Sequence, residues 1–320
     1  MKETTLPSEI VVKAPATTAN LGPGFDVFGI ALESPSDKVT IVPIYRKIKI
    51  EVYGLAADTI PTIPEENTAG VVAKEILEEF SLKTGLMIKI EKGILPSVGL
   101  GSSAASAAAV AFGLNRLFDL KLGEAQLIRL AAKGEIASAG FEHADNVSAA
   151  IYGGFTIVRS YNPLEVIHIE CPPNLDICIA IPEGHILPKK TEKARSVIPK
   201  AVSMEKLVHN MGHAATMAAG FATGNVDLIG KSMSDAVVEP ARSFLIPGYQ
   251  KVKEKALEAG ACGVAISGAG PAMMAVVNSN KADASEVAEA MKEGFKSVNV
   301  GAETFCTKPG KGVSLLEVKQ

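Results

Sequence analysis

The stretch LPSVGLGSSAASAAAVAFGL, residues 95–114, decides how the rest of the chain is read. A Gly/Ser loop opens directly into a strong helix former, and the pattern predicts a helix over about 103–118. At such a junction the first-turn N–H groups point outward. The helix dipole adds partial positive charge there, which suits an anion. Gly99 and Gly101 let the backbone approach that anion closely. Ser102 and Ser103 offer hydroxyls, either of which can cap the helix or face a metal ion. An ordinary capped, alanine-rich helix would share these features, so the loop alone leaves both readings open. Two standard nucleotide loops are excluded. No lysine follows Gly101 as GxxxxGK[ST] requires, and Ala104 stands where GxGxxG needs its last glycine.

Working outward, strand character begins at Ile10 to Ala14, and PATTANLGPGFD (15–26) reads as a loop. Apolar stretches at 27–32 and 38–43 and the alternating KIKIEV at 47–52 predict further strands. Val71, Val72, Ile76, Leu77 and Phe80 have helical spacing within 65–83, and LMIKIEK at 86–92 alternates again. A helix is expected over 124–140 and a strand at 154–158. Beyond these, strands are expected near 165–170 and 175–181, and helices over 204–220 and 249–259. Strand GVAIS (263–267), loop GAGP, strand MMAVV (273–277) and a helix at 282–294 suggest a small sandwich of sheet and helices. A domain boundary is expected within 155–170, although no linker composition marks it.

At 320 residues and 47% hydrophobic content, the chain can build about two domains with large cores. Its net charge of −3, without a basic run, argues against nucleic acid or a lipid headgroup as partner. Four scattered cysteines without a CxxC pair read as reduced thiols. Neither a signal peptide nor a membrane-length apolar run stands out, so a cytoplasmic setting is expected.

PSVGLGSSA, Pro96 to Ala104, resembles the ATP-binding motif of the GHMP kinases. VKAPATTANLGPGFDVFGIAL (12–32) resembles that superfamily's first motif in its homoserine kinase form, and SGAGPAMMAV (267–276) resembles its third. Together the three span nearly the whole chain, in the family's order. The resemblance implies a two-domain α+β GHMP kinase fold, divided here as 1–162 and 163–320. The N-terminal domain would resemble domain 2 of ribosomal protein S5, and the C-terminal one would be ferredoxin-like. It further implies ATP and Mg²⁺ as cofactors and L-homoserine as substrate, and it leaves a homodimer open.

Residue by residue, the resemblance places ATP phosphates on Pro96, Ser97, Val98, Gly99, Leu100, Gly101, Ser102, Ser103 and Ala104, with Asn67 on the adenine side. Ser103 and Glu135 would hold Mg²⁺, which suits a hard cation that keeps much of its hydration. Asn20 and Asp26 would take the substrate amine, Arg195 and Arg242 its carboxylate, with Asn146, Thr191 and Gly268 completing the site. An arginine fork matches a carboxylate bidentately, as lysine cannot. Asn146 stands near where several relatives carry a proposed aspartate base, and no convincing base emerges. Phosphoryl transfer tolerates that, since positioning and charge stabilisation carry most of the effect. Without the resemblance, Asn20 and Asp26 read equally as turn and cap residues, and the arginines as solvated. His209 and His213 have the spacing of a metal pair but lack a third ligand. The competing functions are a GHMP kinase for mevalonate or shikimate, or a non-catalytic binding protein on the same fold.

Overall fold

The computed structural model describes residues 6–139, 143–184 and 190–320. The end residue of the helix expected to reach 140 and the first lysine of KKTEKARS lie outside these residues. In chain order, the first half contains β1 (Glu9–Asn20), β2 (Gly24–Ile44), β3 (Ile48–Gly54), α1 (Thr68–Glu79) and β4 (Gly85–Lys92). It continues with α2 (Ser102–Leu117), α3 (Glu124–Ala139), α4 (Asp145–Tyr152), β5 (Phe155–Tyr161) and β6 (Leu164–Ile169). The second half runs β7 (Leu175–Pro182), α5 (Lys190–Ser196), α6 (Met204–Thr223), α7 (Val226–Lys231), α8 (Val238–Arg242) and α9 (Tyr249–Glu258). It ends with β8 (Gly263–Ile266), β9 (Met273–Asn278), α10 (Ala284–Lys296), β10 (Ala302–Thr307) and β11 (Ser314–Lys319).

Two sheets organise these elements. The first has seven strands, ordered β11-β1-β2-β4-β3, with β5 on the other half of β2 and β6 beside β5. The second has four antiparallel strands in the order β10-β7-β9-β8. Its faces alternate: Ile177, Ile179, Met274 and Val276 join the larger core, while Cys178, Met273, Ala275 and Val277 meet α9 and α10. Burial on both faces explains why MMAVV reads as one continuous apolar run rather than alternating. Among the described residues, no helix is long and apolar enough to cross a membrane.

Three expectations change. PATTAN is not loop: β1 continues to Asn20, because Thr17, Thr18 and Ala19 are wholly buried against β2. Its pairing shifts register between Pro15 and Thr17, where proline lacks a donor for the ladder. The stretches 27–32 and 38–43 are one strand, β2, whose two halves pair with different partners: β5 near Gly29 and β4 from Lys38 onward. Finally, a division at 162/163 falls inside the β5–β6 hairpin. By sheet membership β6 stays with the first sheet and β11 returns to it, so the second sheet is bounded by β7 and β10.

Phe155 ties the two halves together. It is fully buried on β5, stacks on Phe221 of α6 at 3.8 Å between centroids, and meets Phe28 edge-on at 5.2 Å. Phe155→Ala should therefore lower folding stability by about 3–5 kcal/mol, read as a lower urea midpoint with an unchanged slope.

Candidate active site

The αL conformation of Gly101, at φ 63°, starts α2, and no side chain caps that end. The first-turn N–H groups are therefore left to face the cleft beside the loop. The serines, which the sequence could not rank, divide their work. Ser102 is buried and donates to the Ile94 carbonyl at 3.2 Å. Ser103 donates to the Glu135 carboxylate of α3 at 3.0 Å. Pro96, Ser97, Gly99, Leu100 and Gly101 line the same cleft, whose volume is about 330 Å³. Val98 and Ala104 do not line it, since their side chains are buried in the core.

The third motif holds this loop from behind. The Ala272 N–H donates to the Val98 carbonyl at 3.0 Å, and the Ser267 hydroxyl donates to the Gly99 carbonyl at 2.7 Å. On the other side, the Thr17 N–H donates to the Leu100 carbonyl at 3.1 Å, and its hydroxyl donates to Asn146 Oδ1 at 2.8 Å. Residues from β1, the loop before α2, α4 and the β8–β9 turn thus meet at one point.

Beneath α2 lies a pair the sequence did not reveal, because no local pattern distinguishes its members from surface charges. Lys92 and Asp37 form a buried ion pair. The Lys92 ammonium also donates to the Ser102 carbonyl at 2.9 Å and to Ser106 Oγ at 3.2 Å. Asp37 accepts the Gly93 and Ile94 N–H groups, each at 3.0 Å. Burial pushes the Asp37 carboxyl up and the Lys92 ammonium down, and each charge partly offsets the other's shift.

Also in the cleft wall, Arg195 of α5 forms a two-pronged ion pair with Asp26 at 2.7 and 3.3 Å. His143 Nδ1 lies 3.6 Å from the same carboxylate. The Phe25 ring lies under both guanidiniums, with Arg195 at 5.4 Å and Arg242 at 5.1 Å from its centroid. Arg242 is buried, and burial pulls it down to about 10, so it remains charged at neutral pH. Its Nε donates to the Ala194 carbonyl at 3.0 Å and its Nη1 to the Gly268 carbonyl at 3.1 Å. Thr191, at the start of α5, also lines the cleft.

Other expected contact residues are engaged in bracing. Asn20 donates to the Gly268 carbonyl at 2.8 Å and accepts the Asp26 N–H at 3.2 Å. Gly268 also donates its N–H to Ala19 at 3.1 Å. Asn67 caps α1 through the Ala69 N–H and donates to the Pro61 carbonyl at 2.6 Å. All three still line the cleft, but these bonds orient its walls. Asp145, next to Asn146, was missed by the sequence reading. It is buried, accepts the Asn146 N–H at 2.7 Å, and is pushed up by burial and then by the Asp26 charge. His209 and His213 stack at 4.2 Å, but no cluster of three or more metal-ligating residues occurs among the described residues.

The models for the GHMP kinases N terminal domain and GHMP kinases C terminal match residues 67–154 and 217–297. A homoserine kinase of Methanococcus vannielii is 51% identical over 84% of this chain and 87% of its own. One from Halorubrum lacusprofundi is 42% identical over 96% of this chain and 99% of its own. The crystal structure of homoserine kinase from Cytophaga hutchinsonii superposes with a TM-score of 0.90 at 36% identity, covering 99% of this chain and 100% of that one. The chain belongs to the homoserine kinase family of the GHMP kinases. Its membership bears out the two-domain α+β fold expected from the three motifs.

In this homoserine kinase family member, the buried pair under α2 makes a specific demand. Asp37→Asn would leave the Lys92 ammonium desolvated without its counter-charge, at a cost of about 3–5 kcal/mol. Replacing both residues, Asp37→Leu with Lys92→Met, should recover most of that loss. Chemical denaturation of the three proteins checks both statements.

Proposed function

We propose that the chain transfers the γ-phosphoryl group of ATP to the hydroxyl of L-homoserine, giving O-phospho-L-homoserine and ADP on the way to threonine. The observation that carries this reading is the polarity of the cleft. Part of its wall is an uncapped helix N-terminus, suited to phosphate. The wall also carries Asp26, Asp145, Arg195 and Arg242, charges of both signs suited to a zwitterion. Asp26 and Asp145 would hold the ammonium and the two arginines the carboxylate. The hydroxyl would then lie toward Asn146 and Thr191, between the charged groups and the phosphate loop.

A Mg²⁺ ion fits the donor set here, because Ser103 and Glu135 bring hard oxygen atoms to the first turn of α2. Bound there, it would neutralise charge on the phosphate oxygens during transfer. The chain's own contribution is positioning. The α2 N–H groups orient the phosphates, and the zwitterion site fixes the distance and direction of the hydroxyl. A loose transition state makes such placement effective even without a dedicated base. Reducing conditions and ATP supply point to the cytoplasm as the setting.

Ser103→Ala should keep the fold but raise the Mg²⁺ concentration for half-maximal rate by about 10–100-fold. A Mg²⁺ titration at saturating ATP that matches wild type would remove Ser103 from the metal site. Substrate identity is tested by ADP release with homoserine, mevalonate, shikimate and 3-aminopropan-1-ol. The last keeps the hydroxyl and amine but lacks the carboxylate. Losing one partner of a buried charge pair costs about 2–5 kcal/mol, so kcat/KM should fall roughly 30-fold to several thousand-fold. Arg242→Leu should lose homoserine use on a similar scale, keep ATP binding, and narrow the gap between the two compounds. Equal use of both by wild type would exclude the carboxylate assignment. Binding of ATP without turnover of any alcohol would favour the non-catalytic reading.

A further inference from the structure

Cys178 of β7 and Cys306 of β10 stand directly opposite each other in the antiparallel register. Their sulfurs lie 3.4 Å apart, and both thiols share one acceptor, the Ala284 carbonyl at the start of α10, at 3.0 and 3.1 Å. Cys178 is fully buried, whereas Cys306 is exposed on an edge strand. Opposed residues of an antiparallel pair have Cα atoms about 4.5–5.5 Å apart. That separation falls within the roughly 4.4–6.8 Å a disulfide spans. Neither cysteine lines the cleft, and Cys171 and Cys262 pack separately against the other core.

We propose that Cys178 and Cys306 form a dithiol modification site that takes a small-molecule disulfide and closes to an intramolecular disulfide between β7 and β10. The exposed Cys306 thiolate attacks one sulfur of the reagent, breaking its S–S bond. This step forms a mixed disulfide and releases one thiolate. Cys178 then attacks the Cys306 sulfur, its proton passing to the second departing thiolate. The protein loses two electrons and two protons, and the reagent is reduced to two thiols.

The surroundings set the order and pace of these steps. Burial raises both thiols, and the carboxylates of Asp176 and Asp283 further oppose a thiolate at Cys306. Lys308 stands 3.7 Å from Asp176 and softens that field. The first attack is therefore slow, since the thiolate is the nucleophile. Burial opposes the Cys178 thiolate as well, and what favours the second attack is proximity, because its partner sulfur is already in place. Closure would link positions 128 residues apart in sequence, a long loop that constrains the unfolded chain.

The test incubates the folded full-length chain with oxidised glutathione, followed by acid quench, alkylation under denaturing conditions, intact mass and peptide mapping. The expected product has lost two hydrogens, retains no glutathione, and links the peptides of Cys178 and Cys306. Cys171 and Cys262 remain open to alkylation, and the product melts at a higher temperature than the reduced protein. In Cys178→Ser, or Cys178→Ala if the buried hydroxyl disturbs folding, glutathione should instead remain on Cys306. A persistent adduct on wild-type Cys306 would overturn the proposal. So would full alkylation of both residues after treatment, or a link through Cys171 or Cys262.

Discussion

The cleft depends on how closely the loop at 98–101 approaches its neighbours. A Cβ on Gly99 would lie 2.2 Å from the Ser267 carbonyl oxygen, and one on Gly101 would lie 1.9 Å from Thr17 Oγ1. Both positions also have positive φ, at 97° and 63°. Only glycine satisfies the backbone angle and the contact together. Three segments far apart in sequence are therefore fixed against one another by the absence of two side-chain carbons. The first-turn N–H groups of α2 take their orientation from that contact, and Asn146 shares the hydroxyl of Thr17 that limits Gly101.

Buried charge supports the same place at a cost. Lys92 and Asp37 would be more comfortable in water, and burial acts against the charged form of each. What the pair supplies is direction. Lys92 holds a carbonyl of the first α2 turn, and Asp37 holds the two N–H groups that begin the loop. Glu239 acts similarly below the third motif. It is buried, pushed up by burial, accepts the Ile266 N–H, and accepts the Tyr249 hydroxyl at 3.0 Å. Each buried charge is paired or bonded, so neighbouring loops are held by bonds whose loss would leave a desolvated charge.

These features separate what could be read from the chain and what could not. Long periodic segments such as α2, α6 and β4 were legible, since their patterns are set by local burial. Short α4, α7 and α8 and the last two strands were not, because their residues are specified by tertiary neighbours rather than by period. Ser103 and Glu135 are expected together from the family resemblance, as ligands of one Mg²⁺, and they are in hydrogen-bond contact. Asp145 sits one residue from an anticipated asparagine, and its burial beside Asp26 follows from the entry of α4 against β1 and β2. Phe25 belongs to the first motif, but nothing in one sequence shows that two arginines from the other half stack on it. Asn20, Asn67 and Gly268 illustrate the converse. Motif matching finds positions, while hydrogen-bond partners determine whether a side chain faces a ligand or a wall.

The same distinction bears on selectivity. Asp26 and Arg195 neutralise each other, and their two-pronged geometry is already favourable. A zwitterionic alcohol can insert its ammonium and carboxylate into that pair, exchanging one set of opposite charges for another without a change in total charge. An alcohol carrying only a carboxylate would free Asp26 without offering it a partner. It would also bring a third negative group near Asp26 and Asp145, where burial, and then the Asp26 charge, already disfavour ionisation of Asp145. An alcohol carrying only an amine would instead leave Arg195 and the buried Arg242 competing with solvent. Under the proposed assignment, discrimination would arise from the internal pair that a substrate must replace, as much as from the contacts it gains.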